Sequence, residues 1–229
     1  MNLPNALSIA RIAAAPVVAW LPLAPSWEAR LLAFLLFVAV AITDYYDGKL
    51  ARDRGLVTNL GKLLDPLADK LLLLGTLVPM YVLQRPAPNL SWLALRAGAA
   101  AARSPAGRFP FLLPGDILVP LPVWVIALVL GRELFMTVFR QRAARRGKII
   151  AAIGPAKWKT GMQWTWVGAA FFWFSALTAA TRYRWLTHPA WYAFACLNGI
   201  VGTTTMMAAV ALTLYSLWLY LRSHQHLGS

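Results

Sequence analysis

Residues 43–70 read TDYYDGKLARDRGLVTNLGKLLDPLADK, and the fold class follows from where this acidic stretch sits in the chain. Four of the eight acidic residues form two pairs here, Asp44 with Asp47 and Asp65 with Asp69, each bordered by long apolar sequence. Residues three or four apart share a helix face. Asp44, Asp47 and Ala51 therefore line one face of a first helix, and Gly61, Asp65 and Asp69 one face of a second. Bringing the two faces together gathers four carboxylates at the edge of a bilayer, which is costly unless a cation sits among them. Hard divalent cations take carboxylate oxygens. The stretch thus reads as a metal site between two membrane helices.

Composition agrees with a membrane setting. The 229 residues are 59% hydrophobic and 13% charged, against roughly 45–50% and about 25% in soluble domains. The net charge is +14, but the basic residues lie between apolar runs. A nucleic-acid interface would show them on a polar surface interleaved with aromatics, so no nucleic-acid partner is expected. One cysteine, Cys196, lies in an apolar run and rules out an internal disulfide. The first apolar run lacks a basic leader and a cleavage site and reads as a retained element rather than a signal peptide.

A span needs about 20 mainly apolar residues. Six segments qualify, 6–24, 28–50, 61–83, 117–140, 158–180 and 190–221. The expected fold is all-α: a polytopic membrane protein, one domain over 1–229, with six transmembrane helices and a cleft facing the cytoplasm. Asn5 reads as a helix cap. Arg11, inside the first segment, either reaches the interface or turns inward towards an anionic ligand. Residues 84–116, punctuated by five prolines, read as an external loop.

Lysines and arginines set the orientation. Lys49, Arg52, Arg54 and Lys62 follow the second segment, and Arg140, Arg142, Arg145, Arg146, Lys148, Lys157 and Lys159 follow the fourth. Arg30, Arg85, Arg96, Arg103, Arg108, Arg182 and Arg184 lie opposite. Both termini and the aspartates are expected on the cytoplasmic side of the cytoplasmic (inner) membrane.

Written as a pattern, the acidic stretch is D-x2-D-G-x2-A-R-x8-G-x3-D-x3-D, filled by Asp44, Asp47, Gly48, Ala51, Arg52, Gly61, Asp65 and Asp69. It resembles, at all eight positions, the signature of the CDP-alcohol phosphotransferases, membrane enzymes of phospholipid synthesis. The resemblance implies that an alcohol attacks the phosphorus bearing the lipid and that CMP leaves. It implies Asp44, Asp47, Asp65 and Asp69 as ligands of Mg²⁺ or Mn²⁺, two ions in all, with Asp69 also the general base. Asp44, Gly48, Ala51, Arg52, Gly61 and Asp65 would meet the CDP group, the small residues by letting it approach closely and Arg52 by pairing with phosphate.

The acceptor is read from a second cluster. Arg132 and Glu133 lie within the fourth segment, where charge is expensive and marks function by default. Being adjacent they do not share a face, so each is expected to find its own partner. Arg132, Arg140, Lys157 and Lys159 suit an acceptor that carries phosphate, although Arg142, Arg145 and Arg146 read equally as an ordinary positive-inside loop. Asn2–Asn5 through Arg11 and Pro16, Leu64–Lys70, Arg132–Glu133 through Arg140, and the run ending at Thr160 resemble the phosphatidylglycerophosphate synthases within the family. The run departs from the pattern in its spacing, Gly154-Pro155-Ala156-Lys157. The substrates implied are CDP-diacylglycerol and glycerol 3-phosphate, among membrane lipids, and the resemblance admits a homodimer. The alternatives are a sibling enzyme with another acceptor, of the cardiolipin synthase or inositol-phosphate type, and a cation channel or transporter.

Overall fold

The structure is a computed structural model that describes residues 3–53, 59–84, 110–145 and 154–223. Six long helices dominate these residues: α1 Leu3–Trp20, α2 Trp27–Asp53, α3 Asn59–Gln84, α4 Val123–Arg145, α5 Gly154–Tyr183 and α6 Pro189–Ser223. Three carry segments long and apolar enough to cross a membrane, Asn5–Leu23, Leu64–Gln84 and Pro189–Tyr220. Charge within α2, α4 and α5, including Asp44, Arg132, Glu133 and Lys159, lowers their hydropathy at the positions that build the site below.

Local chemistry sets the helix ends. Ser26 caps α2, its hydroxyl accepting the Ala29 N–H at 3.2 Å, and Glu28 places an anion in the first turn, where the helix dipole favours it. α1 already begins at Leu3 with Pro4 in its first turn, as suits a residue without an N–H. Asn5 therefore lies inside the helix, buried, and does not cap it. α4 begins at Val123 rather than continuing the apolar run from Ile117, because Pro120 and Pro122 keep the preceding backbone extended.

That extended run pairs instead. β1 Phe111–Leu113 and β2 Ile117–Val119 form an antiparallel hairpin, with Phe111 opposite Val119 and Leu113 opposite Ile117. Phe111 is 0% exposed and packs on α6 where Gly199 and Gly202 leave room; a side chain at Gly199 would run into the Leu112 backbone. The expected external loop 84–116 thus has its described end, Pro110–Leu113, inside the helical body, while 85–109 lie outside the described residues.

Around the body α1 packs on α2 and α3, α2 on α5, α5 on α6, and α4 between α3 and α6. The core between them is apolar, with Val18, Phe37, Leu72, Leu77, Met80, Trp166 and Trp173 buried. Leu32, Leu35, Leu74, Val78, Leu134, Leu197 and Met207 face outward, as expected of helices solvated by lipid. Arg30, counted above with the charges of the outer side, is buried. It donates to the carbonyls of Pro22 at 3.0 Å and Ala24 at 3.1 Å and to the Thr178 hydroxyl at 2.5 Å, tying the end of α1 to α5. The α1–α3 pair matters most for the site. A Cβ at Gly75 would stand 2.9 Å from the Ala15 carbonyl oxygen, so the glycine lets the two backbones approach and brings the polar residues of α1 within reach of α3.

Candidate active site

Asp44 comes from α2, and Asp65 and Asp69, one turn apart, from α3. Their carboxylates converge on α1. Arg11, 3% exposed, donates through Nη1 to Asp44 Oδ1 and to Asp69 Oδ1 at 3.3 Å. Its Nη2 stands 3.8 Å from Asp65 Oδ1. One turn earlier, the Ser8 hydroxyl donates to that same Asp65 oxygen. Of the two options open to Arg11, the structure takes the inward one, and the ligand it finds is the aspartate cluster itself. The side chains of Asp65 and Asp69 are about half exposed. Gly61 is buried on α3. Helix α2 runs on through Asp47, Gly48, Ala51 and Arg52, whose side chains lie outside the described residues, as does that of Lys157.

The aspartates form one wall of a cavity of about 340 Å³. Asp44, Asp65, Asp69 and Lys70 line one side; Glu133, Thr137 and Arg140 from α4, with Lys159, Gln163 and Trp164 from α5, line the other. Arg140 is exposed, donates through Nη2 to the Tyr220 hydroxyl at 3.0 Å and places its guanidinium carbon 5.6 Å from that ring's centre. Lys159 is buried and donates to Glu133.

Here the adjacency argument holds only in part. Glu133 has its own partner in Lys159, but Arg132 and Glu133 also pair with each other, Arg132 Nη1 donating to Glu133 Oε1 at 2.9 Å. The long Arg132 side chain, buried itself, bends back to the partly exposed carboxylate of its neighbour. Arg132 Nη2 also reaches the Ser216 hydroxyl at 3.2 Å. Arg132 sits behind the wall, and it is Arg140 and Lys159 that border the cavity. Glu133, marked as functional by its charge within an apolar segment, lines the cavity, whereas Ser8, Gln163 and Trp164 have no place in the sequence reading. For Ser8 a signal existed in its three-residue offset from Arg11 on an otherwise apolar helix. For Gln163 and Trp164 none did, since both continue a helix of mixed character.

The donor set suits a hard divalent cation in chemistry: carboxylate oxygens from two helices on a polar cavity wall. Among the described residues no three acidic, histidine or cysteine groups are gathered as a metal-holding set; a guanidinium stands among the carboxylates instead.

A helical body with helices apolar enough to cross a membrane thus gathers aspartates of α2 and α3 with Arg140 and Lys159 around one cavity. A sequence model of the CDP-alcohol phosphatidyltransferase family matches residues 1–221, and the chain belongs to that family. It is similar to the CDP-diacylglycerol–glycerol-3-phosphate 3-phosphatidyltransferase of Bacillus subtilis, 32% identical over 174 residues that cover 71% of this chain and 72% of that protein. The enzyme of the same name from Rickettsia bellii is 58% identical over 71 residues, 31% of this chain. That match spans only 39% of the Rickettsia protein's length. A cardiolipin synthase (CMP-forming) of Streptomyces coelicolor is 31% identical over 150 residues, 64% of this chain and 54% of that protein.

Proposed function

We propose that the chain transfers the phosphatidyl group of CDP-diacylglycerol to glycerol 3-phosphate, giving phosphatidylglycerophosphate and CMP. The observation that carries the reading is the two-walled cavity: carboxylates on α2 and α3 face Arg140 and Lys159 on α4 and α5. One wall suits a metal-bound pyrophosphate and the other an acceptor phosphate. The names of the Bacillus and Rickettsia relatives point the same way.

Asp44, Asp47, Asp65 and Asp69 would hold Mg²⁺ or Mn²⁺. When bound, such ions neutralise the pyrophosphate and stabilise charge on the attacking and leaving oxygens. The residues supply the rest. Asp69 takes the proton of the acceptor hydroxyl as its oxygen bonds to the phosphorus bearing the diacylglycerol, and the bond from that phosphorus to the CMP oxygen breaks. Arg52 pairs with donor phosphate. Gly48, Ala51 and Gly61 leave the backbone open to the cytidine and pyrophosphate. Arg140 and Lys159 orient the acceptor through its phosphate, which turns a bimolecular encounter into a positioned one. All six helices cross the cytoplasmic membrane in this reading, with both termini and the cavity mouth on the cytoplasmic side, where the soluble acceptor is supplied.

The test is CMP release by purified protein given CDP-diacylglycerol and a panel of alcohols, with and without chelator. Glycerol 3-phosphate should be the preferred acceptor, and chelator should abolish turnover until Mg²⁺ is restored. Preference for phosphatidylglycerol or for inositol phosphate would move the chain to a sibling activity, and one relative, that of Streptomyces, is named a cardiolipin synthase. Cation flux in vesicles without CMP release would replace the enzymatic reading.

A further inference from the structure

Arg11 is the one charged residue of α1, and it is spent on the aspartates. A buried guanidinium in an apolar helix is expensive by itself, and so are Asp44, Asp65 and Asp69 crowded together without a cation. Each offsets the other's cost. In all three carboxylates it is Oδ1 that faces α1: Asp44 and Asp69 meet Arg11 Nη1, and Asp65 meets both Arg11 Nη2 and the Ser8 hydroxyl. The close α1–α3 approach at Gly75, one and a half turns beyond Asp69, fixes this arrangement.

We propose that Arg11 is the resident counter-cation of the aspartate cluster: it holds the three carboxylates together before a divalent ion arrives and competes with that ion for them. The inference rests on the metal site of the proposed function. A carboxylate has four acceptor positions, so the pairing does not bar an ion. It does require the ion to enter beside a positive charge, which repels it. Arg11 is therefore a positioning residue that trades affinity for order. The metal-free site stays assembled, and the ion binds more weakly than four carboxylates alone would hold it.

The test measures Mn²⁺ binding by the loss of the free-ion electron paramagnetic resonance signal, together with melting temperature in chelator and in Mn²⁺. It compares purified wild type, Arg11→Gln and Arg11→Lys. Arg11→Gln should melt lower than wild type in chelator and bind Mn²⁺ more tightly, by about tenfold or more, the reach of one charge-assisted hydrogen bond. Arg11→Lys, which keeps the charge, should stay close to wild type in affinity. A merely structural arginine could lower stability but would not tighten metal binding. If Arg11→Gln folds only when prepared with Mn²⁺, the role as stand-in cation is supported. Equal or weaker Mn²⁺ binding by Arg11→Gln overturns it, as does tightening by Arg11→Lys to the same extent. Wild type that binds no Mn²⁺ overturns the metal site itself, and with it the inference.

Discussion

Arg140 offers the cleanest separation of acceptor from donor. Its guanidinium is exposed at the basic wall and is held there by the Tyr220 hydroxyl and ring. Lys159 is a worse choice, since it is 4% exposed and bound to Glu133. Removing it would leave the Glu133 carboxylate with Arg132 alone, so a loss of stability would be mixed with any effect on the acceptor. Arg140→Ala takes one hydrogen bond from the buried Tyr220 hydroxyl, at a cost of about 0.5–1.5 kcal/mol. The fold should survive with a modestly lower melting temperature. A hydrogen bond to a charged group contributes about 1.5–3 kcal/mol, which is roughly 10- to 150-fold in affinity. The KM for glycerol 3-phosphate should rise within that range, with that for CDP-diacylglycerol changing little. Tyr220→Phe keeps the ring and loses the hydroxyl, so it should give a smaller rise. Initial-rate CMP release at varied concentrations of each substrate reads both constants. If Arg140→Ala weakens only the CDP-lipid, or if glycerol serves wild type as well as its phosphate, the assignment of the basic wall to the acceptor is refuted.

Asp69→Asn should lower turnover by about 10²–10⁴, the usual worth of a general base, with CDP-diacylglycerol binding largely retained; a loss confined to lipid binding would make Asp69 only a ligand. Gly75→Ala puts a methyl 2.9 Å from the Ala15 carbonyl oxygen and should cost about 1–3 kcal/mol through overpacking, seen as a lower melting temperature and a parallel drop in activity. An unchanged melting point would mean that α1 and α3 do not meet there. In a Cys196→Ala background, cysteines replacing Arg54 and Arg145 should be labelled from the cytoplasmic face and one replacing Arg103 from the outer face. Labelling of position 54 from outside reverses the topology.

The helices were legible because apolar run length carries them: the six expected segments coincide with α1 to α6 to within a few residues at most ends. The fourth was the exception. Ile117–Val119 is as apolar as the helix it precedes, and its place in a hairpin was signalled only by the turn residues Pro114-Gly115-Asp116 before it and the prolines at 120 and 122 after it. The aspartates of α2 and α3 were legible because helical spacing alone fixes which residues share a face. What they face was not. Whether Arg11 turns inward depends on the approach of α1 to α3, a property of two helices. The sharing of Glu133 by Arg132 and Lys159 depends on the reach of long side chains, and sequence spacing is silent on both.

At the far end of α3, the Gln84 amide hydrogen-bonds the Leu121 backbone twice, Nε2 to the carbonyl at 2.5 Å and the N–H to Oε1 at 2.8 Å. A side chain here imitates one rung of a β-ladder and staples the end of α3 to the start of α4. Phe111, sunk against α6, adds a second anchor. Gln84 and Phe111 thus hold the ends of α3, α4 and α6 together at the end of the body away from the aspartates.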